Sequence, residues 1–181
     1  MEEGFYGGAS LITVQQFRRM PDDGRAYELH HGEVVALTRP KAKHYNLQRR
    51  FVRLLENRLA GVGQVGMEFP YRPVAEFDLR VADVAVVSQA RYDQIDPDDN
   101  LHGAPELVIE IKSPSNTDRQ LRELASLCLA NGCSEFWIVD TDDASVTVIH
   151  RDGSISRLQS PHSIPLTAFG GDALPIAEMF G

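Results

Sequence analysis

Asp83, Glu110 and Lys112 are the residues whose types and spacing could do chemistry. Asp83 stands in Val81-Ala82-Asp83-Val84-Ala85-Val86-Val87, the other two in Pro105-Glu106-Leu107-Val108-Ile109-Glu110-Ile111-Lys112. Both stretches are short, apolar, rich in β-branched residues and bounded by turn-formers, which predicts two buried strands. Side chains alternate along a strand, so Glu110 and Lys112 fall on one face and Ile109 and Ile111 on the other. A charged pair on a core strand needs partners, because burying a charge alone is costly. A neighbouring strand carrying Asp83 supplies a second carboxylate, and two carboxylates make a hard-oxygen site suited to a divalent ion such as magnesium. A lysine beside that ion can orient water or balance the charge of a phosphate. The plainer alternative is that Asp83 caps or pairs, and that Glu110 and Lys112 form an ion pair at a strand rim. The Ser113-Pro114-Ser115-Asn116 break after Lys112 puts the pair where a strand runs out into a loop.

Positioning these groups falls to the elements around them. Thr13 and Gln16 form a capping box that predicts a short helix over Ser10 to Phe17, ended by the turn Pro21-Asp22-Asp23-Gly24. Ala26 to Leu37 reads as a hairpin turning near His30-His31-Gly32. Lys43 to Ala60 is the clearest helix, with Leu47, Phe51, Leu54, Leu55 and Leu59 as its inner stripe and Gly61 as its stop. Strands are expected over Gly63 to Val74 and Glu76 to Val87, then a polar loop from Ser88 to Ala104 and the Glu110 strand. A second helix runs from Asp118 to Asn131, followed by a strand from Ser134 to Asp140 with Trp137 in the core. A hairpin of Val146 to His150 and Ser154 to Leu158 comes next, and the tail from Ile164 to Phe180 packs irregularly. There are no repeats and no linker. The expected fold is a single α/β (α+β) domain over residues 1–181, a mixed β-sheet flanked by helices, with an N-terminal helical segment over 1–24 and a C-terminal tail over 160–181 packed on the rest.

The bulk composition narrows the function. The 181 residues suffice for one domain with a real core, and 43% hydrophobic content is ordinary for a globular protein. A net charge of -8 and a pI near 5.2 do not mark a nucleic-acid binder, since phosphate contacts need Lys and Arg. The charge is uneven, however: Arg49, Arg50, Arg53 and Arg58 are bunched, and Asp93, Asp96, Asp98 and Asp99 crowd another stretch. Cys128 and Cys133 lack companions at zinc-site spacing and read as reduced, buried thiols. No apolar run reaches the ~20 residues of a membrane span, and no signal peptide is visible, so a cytoplasmic location is expected.

Taken in order, these blocks resemble the PD-(D/E)XK nuclease superfamily, and within it the Uma-type restriction-endonuclease family, itself a domain of unknown function. The resemblance covers most of the chain. It begins at Tyr27-Glu28-Leu29-His30-His31-Gly32-Glu33-Val34-Val35 and a helix entered at His44. It continues through Ala82-Asp83-Val84-Ala85-Val86-Val87 and Ala104 to Ser115, and closes with Gly132 to Asp140. It implies a restriction-endonuclease-like sheet, a DNA substrate and a Mg2+ (or Mn2+) cofactor. Asp83 matches the superfamily aspartate, Glu110 the second metal carboxylate and Lys112 the motif lysine. Glu33 fits the acidic residue after the hairpin glycine. Ala82 replaces the proline of the motif name. Leu124 and Cys128 stand where the following helix usually carries a Lys and a Tyr.

On this reading Asp83, Glu110 and the Ile111 carbonyl hold the metal, and Lys112 acts on the water or the developing charge. Glu33 is a possible further ligand or a surface acid. His44, one turn before Gln48 on its helix, either touches substrate or is a structural histidine. Arg50 and Arg53, off the apolar stripe, either meet phosphates or are solvated. Glu28 is a secondary candidate, as a buried pairing partner. Amide variants of either carboxylate should leave the metal-free chain no less stable, by relieving repulsion. A homodimer would extend the basic surface. The alternative function is an inactive nuclease-fold protein that binds protein or nucleic acid.

Overall fold

Local chemistry sets the elements of the computed structural model, which describes residues 11–38, 40–114 and 116–181. Thr13 caps helix α1 (Val14–Arg18) through the expected box with Gln16; Ser10 lies outside the described residues. Strands β1 (Tyr27–His30) and β2 (Glu33–Ala36) pair antiparallel. Their two-residue turn has positive φ at His31 and Gly32, 48° and 82°, the combination that matches strand twist. A Cβ at Gly32 would also lie 2.7 Å from the Leu11 Cβ. Helix α2 (Ala42–Leu59) buries Phe51, Leu55 and Leu59 as its stripe predicts, together with Gln48.

The chain then builds β3 (Gly63–Arg72), β4 (Arg80–Ser88), a short helix α3 (Gln89–Tyr92), β5 (Leu101–His102) and β6 (Leu107–Ile111). The segment from Ser88 to Ala104 is therefore not all loop. Its end pairs in parallel with β3, Tyr71 against Leu101. Asp99 accepts hydrogen bonds from Arg18, Arg72 and His102, which ties the segment to α1. Helix α4 (Asp118–Ala130) is opened by a second capping box, in which Thr117 takes the Gln120 N–H and Gln120 returns to Thr117. Thr117→Ala is expected to cost about 1 kcal/mol, read as a lower midpoint in thermal unfolding. Strands β7 (Glu135–Asp140), β8 (Ser145–His150) and β9 (Ile155–Leu158) follow. The tail is more ordered than its sequence indicates: β10 (Ser163–Ile164) pairs with β11 (Leu174–Pro175) around a turn of 3-10 helix, and α5 (Ile176–Phe180) docks on α2 through Arg58–Glu178.

Seven strands form one mixed sheet in the order β5-β3-β4-β6-β7-β8-β9. Only β3–β5 and β6–β7 are parallel, and α4 makes the crossover the second of these needs. Alternate residues feed two cores. Val84, Val86, Ile109, Ile111 and Trp137 pack with α2 and the tail. Ala85, Val87, Val108 and Phe136 pack with Tyr71 and with Ala125 and Cys128 of α4. Both cysteines are free and buried, and burial pushes the Cys128 thiol up to about 12. No helix among the described residues is long and apolar enough to cross a membrane.

Candidate active site

Strands β4 and β6 pair through Val86–Leu107, Ala85–Val108 and Val84–Ile109, and there the ladder stops. One step further would set Asp83 against Glu110. Side chains take over the backbone groups the ladder leaves free. Asp83 Oδ2 accepts the Ile111 N–H at 2.7 Å. The other oxygen, Oδ1, accepts from His44 Nε2 and Gln48 Nε2, each at 2.8 Å. His44 and Gln48 are four residues apart on α2 and so share one face. The strand alternation breaks at this point, since Ala82 and Ala85 both belong to the α4-side core. The β3–β4 register skips from Met67–Val84 to Phe69–Ala82, leaving Asp83 and Glu68 unpaired in the ladder, and Glu68 has φ 50°. The His44 pKa is raised, chiefly by its bond to Asp83 and further by the charges of Asp83 and Glu68, against burial.

Glu110 is buried, and its Oε1 has no hydrogen-bond partner among the described residues. Its pKa stands well above the carboxylate range, first from desolvation, then from the negative charges of Asp83 and Glu28. The nearby Arg80 guanidinium offsets only part of this. Glu28 is the hairpin acid that matters here. It is buried, with Oε1 on the Val81 N–H at 2.9 Å and Oε2 on His30. Glu33, one turn of the hairpin later, is exposed opposite His30.

Lys112 follows the end of β6, where its N–H still bonds the Val139 carbonyl. Its ammonium pairs with Asp118 of α4 at 2.9 Å and Asp140 of β7 at 3.3 Å. Those two acids, Asp118 first, raise its pKa. The fold thus gathers Asp83, Glu110, His44 and Glu28, and holds Lys112 on a separate pair of acids. Arg50 and Arg53 line a groove on the flank of α2. Leu124 is half-buried and Cys128 buried, so both serve the core beneath α4. Gln48 and Glu68 did not stand out in the sequence. The only signal for Gln48 was its i+4 spacing from His44.

No three His, Cys, Asp or Glu side chains among the described residues form a ready-made metal cluster. Magnesium does not require one, because it keeps several waters and is commonly held by one or two carboxylates. A buried carboxylate oxygen without a donor, beside a second carboxylate, is the arrangement that a hard cation satisfies.

The fold has a counterpart among solved structures. The crystal structure of a putative nuclease of the DUF820 family from Anabaena variabilis superposes with a TM-score of 0.79 at 21% identity, over 93% of this chain and 97% of that one. At that identity the likeness speaks for the fold. None of the curated proteins matches the chain. The model of the Uma2 family, described as "Putative restriction endonuclease", matches residues 14–177, from the first turn of α1 into α5. A match that runs through every strand carrying the acids places this chain in the Uma2 family.

Proposed function

We propose that the chain is a magnesium- or manganese-dependent nuclease that hydrolyses DNA phosphodiester bonds at Asp83, Glu110 and Lys112. The observation that carries this reading is the unpartnered, buried Oε1 of Glu110 beside Asp83, where β4 and β6 part. Asp83, Glu110 and the Ile111 carbonyl would hold the ion. When bound, such an ion lowers the pKa of its water and offsets charge on the phosphate. His44 and Gln48 fix the Asp83 carboxylate from α2, and Glu28 raises the negative potential at Glu110. Lys112 would exchange its surface acids for a phosphate oxygen or the attacking water. Arg50 and Arg53 would meet the phosphate backbone. A homodimer would lengthen that basic surface in a chain of net charge -8.

One observation favours the second reading, a nuclease-fold binding module: the motif lysine is already engaged by Asp118 and Asp140. A metal titration separates the two. Magnesium or manganese at a hundred times its Kd is expected to stabilise the parent by about 2.7 kcal/mol, while Glu110→Gln loses well over tenfold in metal affinity. DNA should be cut under the same conditions at low salt. Absence of both a metal-dependent shift in melting and any cutting, with either metal at high protein, leaves the binding module.

A further inference from the structure

The groove on the flank of α2 holds more than the two arginines assigned to the phosphate backbone. It has a volume of about 530 Å³, lies between α2 and β3, and is lined by Tyr45, Asn46, Arg49, Arg50, Arg53 and Met67 among others. Two of its lining residues neighbour residues of the site in sequence or register. Tyr45 follows His44, which holds Asp83, and Met67 pairs with Val84, the next residue after Asp83.

Three features define what fits it. The first is charge: Arg49, Arg50 and Arg53 line it against the single acid Glu56, in a chain that is strongly acidic overall. The second is an aromatic ring left in water. Tyr45 is 42% exposed, while Phe51, Leu55 and Leu59 of the same helix are buried. The Arg49 guanidinium lies 6.0 Å from its ring centroid and braces it. The third is Asn46, which offers a donor and an acceptor beside that ring. Arginines answer phosphates, and an exposed ring answers the face of a base. A duplex presents phosphates but hides its base faces in the stack. An unpaired strand presents both at once.

We infer that this groove binds an unpaired strand of DNA, with one base stacked on Tyr45 and phosphates on Arg49, Arg50 and Arg53. The inference rests on the nuclease reading for its choice of DNA, but its test does not depend on cutting.

The experiment is fluorescence anisotropy at low salt with a metal chelator present. The probes are a labelled mixed-sequence DNA strand, the duplex of the same sequence and the RNA strand of the same sequence. The DNA single strand is expected to bind about tenfold or more tighter than the duplex. Tyr45→Ala should remove about tenfold of that affinity, while Tyr45→Phe keeps most of it. Arg53→Ala should reduce the slope of log affinity against log salt by about 0.7. Tyr45 is a surface residue, so an unchanged melting curve for Tyr45→Ala will show that the fold is intact. Duplex or RNA binding as tight as the DNA single strand overturns the inference. So does a folded Tyr45→Ala that binds like the parent. If duplex DNA is cut with metal while no single-strand preference is seen, this inference falls and the nuclease reading stands. If the preference appears with neither cutting nor a metal-dependent shift in melting, the groove stands and the nuclease reading falls.

Discussion

Lys112→Ala is expected to cut DNA about a hundredfold more slowly than the parent, or worse, while binding magnesium nearly as well. An ammonium has three donors and no acceptor, so it cannot ligate a cation. Whatever it contributes is made to the phosphate or the attacking water, where charge develops. Removing such a group lowers turnover and leaves ground-state binding in place. Single preorganised donors of this kind are worth about a hundredfold or more. The fold has little at stake, because the Lys112 ammonium is about one-third exposed and pairs with the exposed Asp118 and the half-buried Asp140. Single-turnover cutting at saturating metal reads the first effect, and calorimetric metal titration the second. A variant that cuts like the parent would remove Lys112 from the mechanism.

The two carboxylates are expected to respond to amide substitution in opposite directions. Asp83 accepts three bonds, from His44, Gln48 and the Ile111 N–H. An asparagine has one acceptor oxygen and would turn an NH2 toward those donors. Asp83→Asn should therefore destabilise the metal-free protein by about 2 kcal/mol, contrary to the simple expectation that any amide relieves repulsion. The His44 pKa is raised, so the stability it draws from Asp83 is fully present below its ordinary value of about 6.5 and is lost as pH rises through the folded value. The penalty of Asp83→Asn should shrink accordingly toward alkaline pH. Glu110 is the reverse case. Its raised pKa gives stability below the ordinary carboxylate value of about 4.3, lost as pH rises toward the folded value. Glu110→Gln never ionises, so it should match the parent in acid and exceed it at neutral pH. Denaturant unfolding of both variants at acid, neutral and alkaline pH measures the split. Equal shifts for the two would mean that the strand-end geometry does not govern their stability.

The backbone of this fold was legible because its elements carry their own periodicity. The stripe of Phe51, Leu55 and Leu59 predicts α2, and the β-branched runs around Asp83 and Glu110 predict β4 and β6. Thr13 with Gln16 predicts α1 through the chemistry of one helical turn. What stayed hidden depended on partners far along the chain. β5 has two residues and exists only because β3, thirty residues earlier, offers an edge. Alternation placed Lys112 beside Glu110, but β6 ends at Ile111, and the acids that claim the lysine come from α4 and β7. Glu33 and Glu28 stand five residues apart on one hairpin, with nothing local to say which is buried. The bond from Glu28 to Val81 decides it, across a separation of 53 residues.

That hairpin is not a member of the seven-stranded sheet. It is held to the segment leading into β4 by the Leu29–Leu79 bridge, by Glu28 on Val81 and by His31 and Gly32 on Asp78 and Phe77. The fully buried Leu29 and the His31–Asp78 ion pair add to these ties, yet a two-stranded ribbon outside the main sheet is the kind of element that opens at a lower free energy than the sheet needs to melt. Lifting it would carry Glu28 out into water and take its negative charge away from Glu110. One of the charges that set the Glu110 environment thus sits on a ribbon of ten residues, Tyr27 to Ala36, outside the sheet that carries Asp83 and Glu110.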